Sequence, residues 1–242
     1  CAFIMTIQFT HIILILLSFQ VQSESNNPFQ LKAYQAKYQV IRDGDEIAVQ
    51  RSKLEAISAN HFKLNDHTEG THGLASFTGF ERTENSEFKT PASTLWQVQQ
   101  HQMKQQVTFS TRKYSFNFQP QNNQFVGKHK KKPFTLTSDE HPIAANMLPL
   151  KIGQLACHAK QHSFAVPILK SKRISHYQFN SETQSNGLIK ASRIYPKDSD
   201  KSSHIWLDPY RNCVAIKTAY WDGDHMMETR LVSFNGEIAQ QK

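Results

Sequence analysis

The chain has 242 residues, a formal charge of +8, 38% hydrophobic and 11% aromatic residues. That length suits one ordinary domain with a sizeable core, and the aromatic content excludes a disordered chain. Aromatic residues set among polar ones point to strands with one wet face rather than to a Leu- and Ala-rich helical bundle.

The first element is the apolar run Ile12–Phe19 within "FTHIILILLSFQVQSES". It is too short to span a bilayer comfortably and fits the apolar region of a secretory signal peptide. Val21 and Ser23 stand at suitable minus-three and minus-one positions, so residues 1–23 read as a signal peptide cleaved after Ser23. The alternative is an uncleaved anchor. Residues 24–242 then form a single β-rich domain. No Lys, Arg, Asp or Glu lies in residues 1–23, so the mature chain keeps the full +8. Export to the periplasm makes an anionic lipid, glycan or protein a more natural partner than nucleic acid, with peripheral membrane contact open.

"YQAKYQV" places Tyr34, Ala36, Tyr38 and Val40 on one face of a strand. Asp43-Gly44 turns the chain, and "IAVQRSKLEAI" returns it. "HFKLN", "GLASFTGFE", "TLWQVQQ" and "QQVTFS" are further short strands. In "KYSFNFQ", Tyr114, Phe116 and Phe118 alternate with Ser115, Asn117 and Gln119, a clear period of two. "GKHKKKPF" is a basic run, either an anion-binding patch or a solvated hairpin loop. "SDEHPIAANML" predicts a helix capped by Ser138 or Asp139 and stopped by Pro149. "KIGQLACHAKQHSFAVPIL", "RISHYQFN" and "LIKASRIYP" are strand-like.

"HIWLDPYRNCVAIKTAYWDGDHMMETRLVSF" reads as a hairpin about Asp222-Gly223. Two-residue turn geometry pairs Val214 with Leu231, Ile216 with Thr229 and Thr218 with Met227 on the core face. Lys217 then faces Glu228, and Ala215 and Ala219 face Arg230 and Met226, on the wet face. The flanking aspartates lack the further oxygen ligands that calcium needs. Trp221, beside the turn, is the candidate partner contact, and Trp206 reads as a half-buried sheet residue.

No catalytic constellation, metal site or cofactor site is predicted. His158 and His162 would share a helix face, but on a strand they stand about 13 Å apart, too far for one metal. His61, His67 and His72 follow no ligand spacing. There is no Gly-x-Ser-x-Gly, phosphate-cradling glycine loop or His-Glu-x-x-His. Cys157 and Cys213 are the two cysteines of the mature chain; they form a disulfide or stay free thiols, since sequence alone cannot bring their Cβ atoms together.

Three stretches carry a resemblance: "FQLKAYQAKYQVIRDGDEIA", "KYSFNFQPQNNQFVGKHKKKPFTL" and the final hairpin with Ile205-Trp206-Leu207, Asp208 and its Ile-Lys strand. In these the chain resembles the bacterial exported family called domain of unknown function 3108. Ala215 departs from it where a proline is expected, and the helical segment is shorter and richer in proline. The resemblance implies a mainly β fold: a curved antiparallel sheet or incomplete β-barrel with one or two short helices, distantly like the half-barrels of lipoprotein carriers. A bent sheet lined by Tyr34, Tyr38, Tyr114, Phe116, Phe118, Tyr177 and Phe179 would hold a lipid tail, or those rings are simply core. The leading expectation is a non-enzymatic periplasmic protein binding a lipid or envelope component. The alternatives are an envelope scaffold without a small ligand and an envelope-polymer hydrolase.

Overall fold

The computed structural model describes residues 31–91 and 95–237. The signal-peptide expectation for residues 1–23 falls outside them. The chain runs through β1 (Tyr34–Arg42), β2 (Asp45–Ser58), β3 (His61–Gly70), α1 (Gly73–Phe77), β4 (Glu81–Lys89), β5 (Gln97–Val107), β6 (Ser110–Gln119), β7 (Gln124–His129) and β8 (Lys132–Thr137). A short β9 (Ile143–Ala144) leads through a 3-10 turn, Ala145–Met147, into α2 (Leu148–Gly153) and a π-helical turn, Gln154–His158. The rest is β10 (Ser163–Lys170), β11 (Arg173–Thr183), β12 (Ile189–Arg193), β13 (Ser202–Asp208), β14 (Val214–Trp221) and β15 (Met226–Gly236).

All fifteen strands belong to one sheet. Consecutive strands pair as antiparallel hairpins, β1 pairs with β15, and β8 and β9 are the two edges. Among the described residues only the β9–β10 pair is parallel. The sheet curls on itself, and β9 packs across the interior against β5. The architecture is therefore a mainly β, open, barrel-like sheet with few short helices. Among the described residues no helix is long and apolar enough to cross a membrane.

The inward face follows from strand alternation. Tyr34, Ala36, Tyr38 and Val40 point inward opposite Leu54, Ser52, Gln50 and Ala48. The stripe continues through Leu64 and Phe62, Phe88, Val98, Phe116 and Phe125. Gly127 lies opposite Phe116, where a Cβ would stand 2.1 Å from the Ser115 carbonyl oxygen. Only glycine admits that close approach.

The segment after β9 is a plug. Met147, Ile152, Leu155 and Ala156 are buried against Phe88, Trp96, Phe164 and Phe179 from the curled wall. The helical hydrogen bonds begin later than the sequence suggests: residues 138–142 are extended or bent, and helix starts at Leu148. Pro149 opens the helix instead of stopping it, because its missing N–H falls in the first turn, where no intrahelical partner exists. Nearly every face of the plug is buried, so it shows no 3.6-residue period and reads as strand. At Gly153 a Cβ would stand 2.7 Å from the Cys213 carbonyl oxygen, so glycine sets how closely the plug meets the wall.

Two further strand expectations are corrected. "GLASFTGFE" is α1, bounded by Gly73 and Gly79 at positive φ, and only its last residue enters β4. "QQVTFS" is the end of β5 and the β5–β6 turn.

The last hairpin is also offset. Its turn has four residues, with the Asp222 carboxylate accepting from the N–H groups of Asp224 (3.0 Å) and His225 (2.8 Å). Trp221 pairs with Met226 and Thr218 with Thr229. The β14–β15 pairing slips by two residues, which keeps Lys217 to Trp221 on their expected faces. Lys217 and Glu228 become diagonal neighbours and still meet at 2.7 Å. A register shift beside Trp206 then skips Ile216, so the inward position passes from Thr218 to Ala215. Ala215 is thus a core residue.

Candidate functional site

The turns at one end of the curled sheet form a mouth. A basin of about 960 Å³ opens there. Its wall is Val40, Ile47, Ala48, Phe80 and Met227, with Leu74 and Ala75 of α1 along one side. Asp43, Asp45 and Glu46 stand at its rim. Asp43 is held below the usual carboxylate range, first by the Met226 N–H and then by His225, whose ring nitrogen lies 2.7 Å away.

The interior becomes polar one inward position deeper on each strand, about 7 Å down. Val40 gives way to Tyr38, Ala48 to Gln50, Thr68 to Asp66 and Met227 to Thr229, and these line a second cavity of about 70 Å³. Asn146, Pro149 and Leu150 of the plug segment form its far wall. Tyr38 is buried and Tyr34 half-buried here, and desolvation raises both phenols well above their ordinary range.

A buried polar relay runs from this floor. Asn146 donates its amide N–H to Asp66 Oδ2 at 3.0 Å. That fixes the amide orientation, so Asn146 Oδ1 accepts from Ser86 Oγ at 2.7 Å. Ser86 has one proton and gives it to Asn146, so His101 Nδ1, 2.9 Å away, is the donor to Ser86. His101 Nε2 lies 3.9 Å from Glu84, whose other oxygen accepts from Arg82 at 2.7 Å. Burial raises the Asp66 carboxyl to about 6 and lowers the His101 imidazole to about 4.

Ser86, His101 and Glu84 have the residue types of a nucleophile, base and acid, but their arrangement is wrong for that chemistry. Ser86 and His101 are buried, and the histidine donates to the serine instead of accepting its proton. The relay is a clamp that fastens the turn before α2 to β3, β4 and β5. Its members alternate inward with Phe62, Leu64 and Phe88, and that alternation is the signal by which sequence could have found them.

The aromatic residues singled out from sequence separate into three groups. Tyr114, Phe116, Phe118 and Phe179 are buried in the wall around the plug, with Phe116 in ring contact with Phe125 and His101. Tyr38 lines the polar floor. Tyr177 is half-buried and lies beneath the Arg193 guanidinium at 3.4 Å. Trp221 is half-buried at the end of β14, whereas its neighbour Tyr220 is exposed. Trp206 lies on the outer face between the Lys190 and Lys217 ammonium groups. Cys157 and Cys213 are joined as a disulfide that ties the end of the plug to the start of β14. Among the described residues no group of three or more His, Cys, Asp or Glu could hold a metal ion. The basic run lies at the β7–β8 turn, on the same end of the sheet as the mouth.

No protein-family model and no curated protein matches the sequence. The fold is similar to that of a beta-barrel-like protein of domain of unknown function 1849 from Brucella abortus, with a TM-score of 0.54. The match has 11% identity and covers 86% of this chain and 99% of that one. At that identity the likeness concerns the fold alone.

Proposed function

We propose that the chain is a binding protein of the bacterial envelope that takes an amphipathic envelope component, a lipid foremost, in the mouth of its curled sheet. The observation that carries this is the apolar-walled basin of about 960 Å³, with a separate, more polar cavity of about 70 Å³ one inward position deeper. Such a gradient suits a molecule with an apolar body and a polar group. The ligand contact moves from the aromatic wall, which packs the plug, to Val40, Ala48, Thr68 and Met227, with Tyr38 below them. Membership of domain of unknown function 3108, residence in the periplasm and analogy to lipoprotein carriers belong to the same proposal. A scaffold role is the second reading, favoured by the exposed Leu74, Phe77 and Phe109.

Native mass spectrometry of protein purified from the periplasm, with organic extraction, tests the proposal. The expected result is a stoichiometric co-purified lipid that is lost in Thr68→Trp, which fills the mouth. A clean apo mass, with no uptake from added envelope lipids, overturns it.

A further inference from the structure

The mouth end carries a second feature. Leu74 is 80%, Phe77 88% and Phe109 102% exposed. Large apolar side chains standing this far into solvent on one rim are unusual for a surface with no partner. They come from two loops that are bound together: Thr108 donates both its N–H (2.6 Å) and its hydroxyl (3.1 Å) to the Thr78 carbonyl oxygen. The β5–β6 turn is thereby fastened to the end of α1, and the three side chains share one rim.

Cations follow along the same arc. Lys104 lies opposite Lys113, a like-charge pair on neighbouring strands that stability alone would disfavour. Lys130 and Lys131 form the next turn at positive φ, and the Lys130 N–H donates to the Lys113 carbonyl oxygen. Arg112 and Lys132 complete the set. All six are exposed, and none is ion-paired among the described residues. From β4 to β7 is three strand spacings, about 15 Å, so the charges flank the apolar tips directly. Glu81, at the start of β4, is engaged by His67 at 3.8 Å. Further rim carboxylates are Glu69, opposite Glu81 and 3.5 Å from Arg51, then Asp43, Asp45 and Glu46 about the β1–β2 turn, which border the basin together with Leu74, and Asp200, Asp222 and Asp224 farther along the sheet.

We infer that this arc docks on an anionic lipid bilayer. Phe77, Phe109 and Leu74 enter the interfacial layer, and the six cations meet the headgroups. The β5–β8 side of the rim tips toward the bilayer and the β1–β2 and β14–β15 turns tip away from it, so the barrel axis tilts from the membrane normal. A folded protein partner would need a complementary apolar socket; a bilayer accepts separate tips at any spacing. The inference shares α1 with the mouth but does not need a ligand there.

The test is flotation of the full chain with phosphatidylcholine vesicles, with and without phosphatidylglycerol. Every variant is made in the same chain, so the amino-terminal apolar run contributes equally. Binding is expected to be tighter to the anionic vesicles, by a margin that shrinks with salt. Changing Lys130, Lys131 and Lys132 to Gln lowers affinity on the order of a hundredfold. Phe77→Ser with Phe109→Ser lowers it about tenfold or more while leaving thermal stability unchanged, since both rings are solvated. Phe109→Trp gives a blue-shifted emission that brominated lipid quenches. Thr68→Trp still binds vesicles, which separates this inference from uptake in the mouth. Equal binding to both vesicle types, undiminished binding by the double serine variant, or displacement by soluble polyphosphate with no tryptophan shift overturns it.

Discussion

Asp66 and His101 are joined through Asn146 and Ser86 but respond to acid in opposite directions. The Asp66 carboxyl is raised from 3.8 to about 6, so between those values the folded state holds a proton that the unfolded state lacks. Stability from Asp66 therefore increases as pH falls through that window, by about 3 kcal/mol for a shift of this size. The His101 imidazole is lowered from 6.5 to about 4, so in its window the unfolded chain holds the extra proton. Stability from His101 is lost as pH falls, again by about 3 kcal/mol. The windows nearly coincide and the two effects cancel in the native protein. Each substitution exposes the other group. Urea unfolding at pH 7 and pH 4 is the assay. Relative to the native chain, Asp66→Asn should lose about 3 kcal/mol more on acidification, and His101→Gln should lose about 3 kcal/mol less. Comparison with the native chain removes the acid sensitivity of exposed carboxylates such as Asp43 and Asp222, which act equally in all variants. If both variants track the native chain to within about 0.5 kcal/mol, the buried relay does not titrate as argued and the reasoning is refuted.

The Cys157–Cys213 bond closes a separation of 56 residues, which in the chain-entropy account contributes about 4 kcal/mol. Cys213→Ser or reduction should lower the urea midpoint accordingly, and an unchanged midpoint would show that the plug is held without the bond. Gly153→Val forces a side chain against the Cys213 carbonyl oxygen and should cost about 1–3 kcal/mol by calorimetry, and Gly44→Val, in open space but at positive φ, should cost about 1 kcal/mol or more through backbone strain alone. Ser86→Ala leaves Asn146 Oδ1 and His101 Nδ1 without their hydrogen-bond partner and should cost about 1–3 kcal/mol with ligand uptake intact. A loss of envelope-polymer hydrolysis with stability preserved would instead restore the hydrolase reading.

The β-rich class and most hairpins were legible in the sequence because alternation and turn chemistry are local. Tyr34 to Val40 face one way for steric reasons within a single strand, and Asp43-Gly44 turns wherever the strands lie. The two-residue slip in the last hairpin left the faces from Lys217 onward unchanged, since the side-chain period is two, whereas the bulge at Trp206 moved Ala215 from the wet face into the core. The plug was not legible. A helix buried on nearly every side needs no polar face, so Leu148–His158 carries no helical period and matched a buried strand. The site was hidden for a related reason. Asp66, Ser86, His101 and Asn146 are separated by up to 80 residues, and only the curl of the sheet brings them together. The same curl decides which inward residues meet the plug and which line an open mouth. Alternation therefore assigned Val40 and Phe116 to one face alike, but only the tertiary structure shows that Phe116 is walled in and Val40 borders open space.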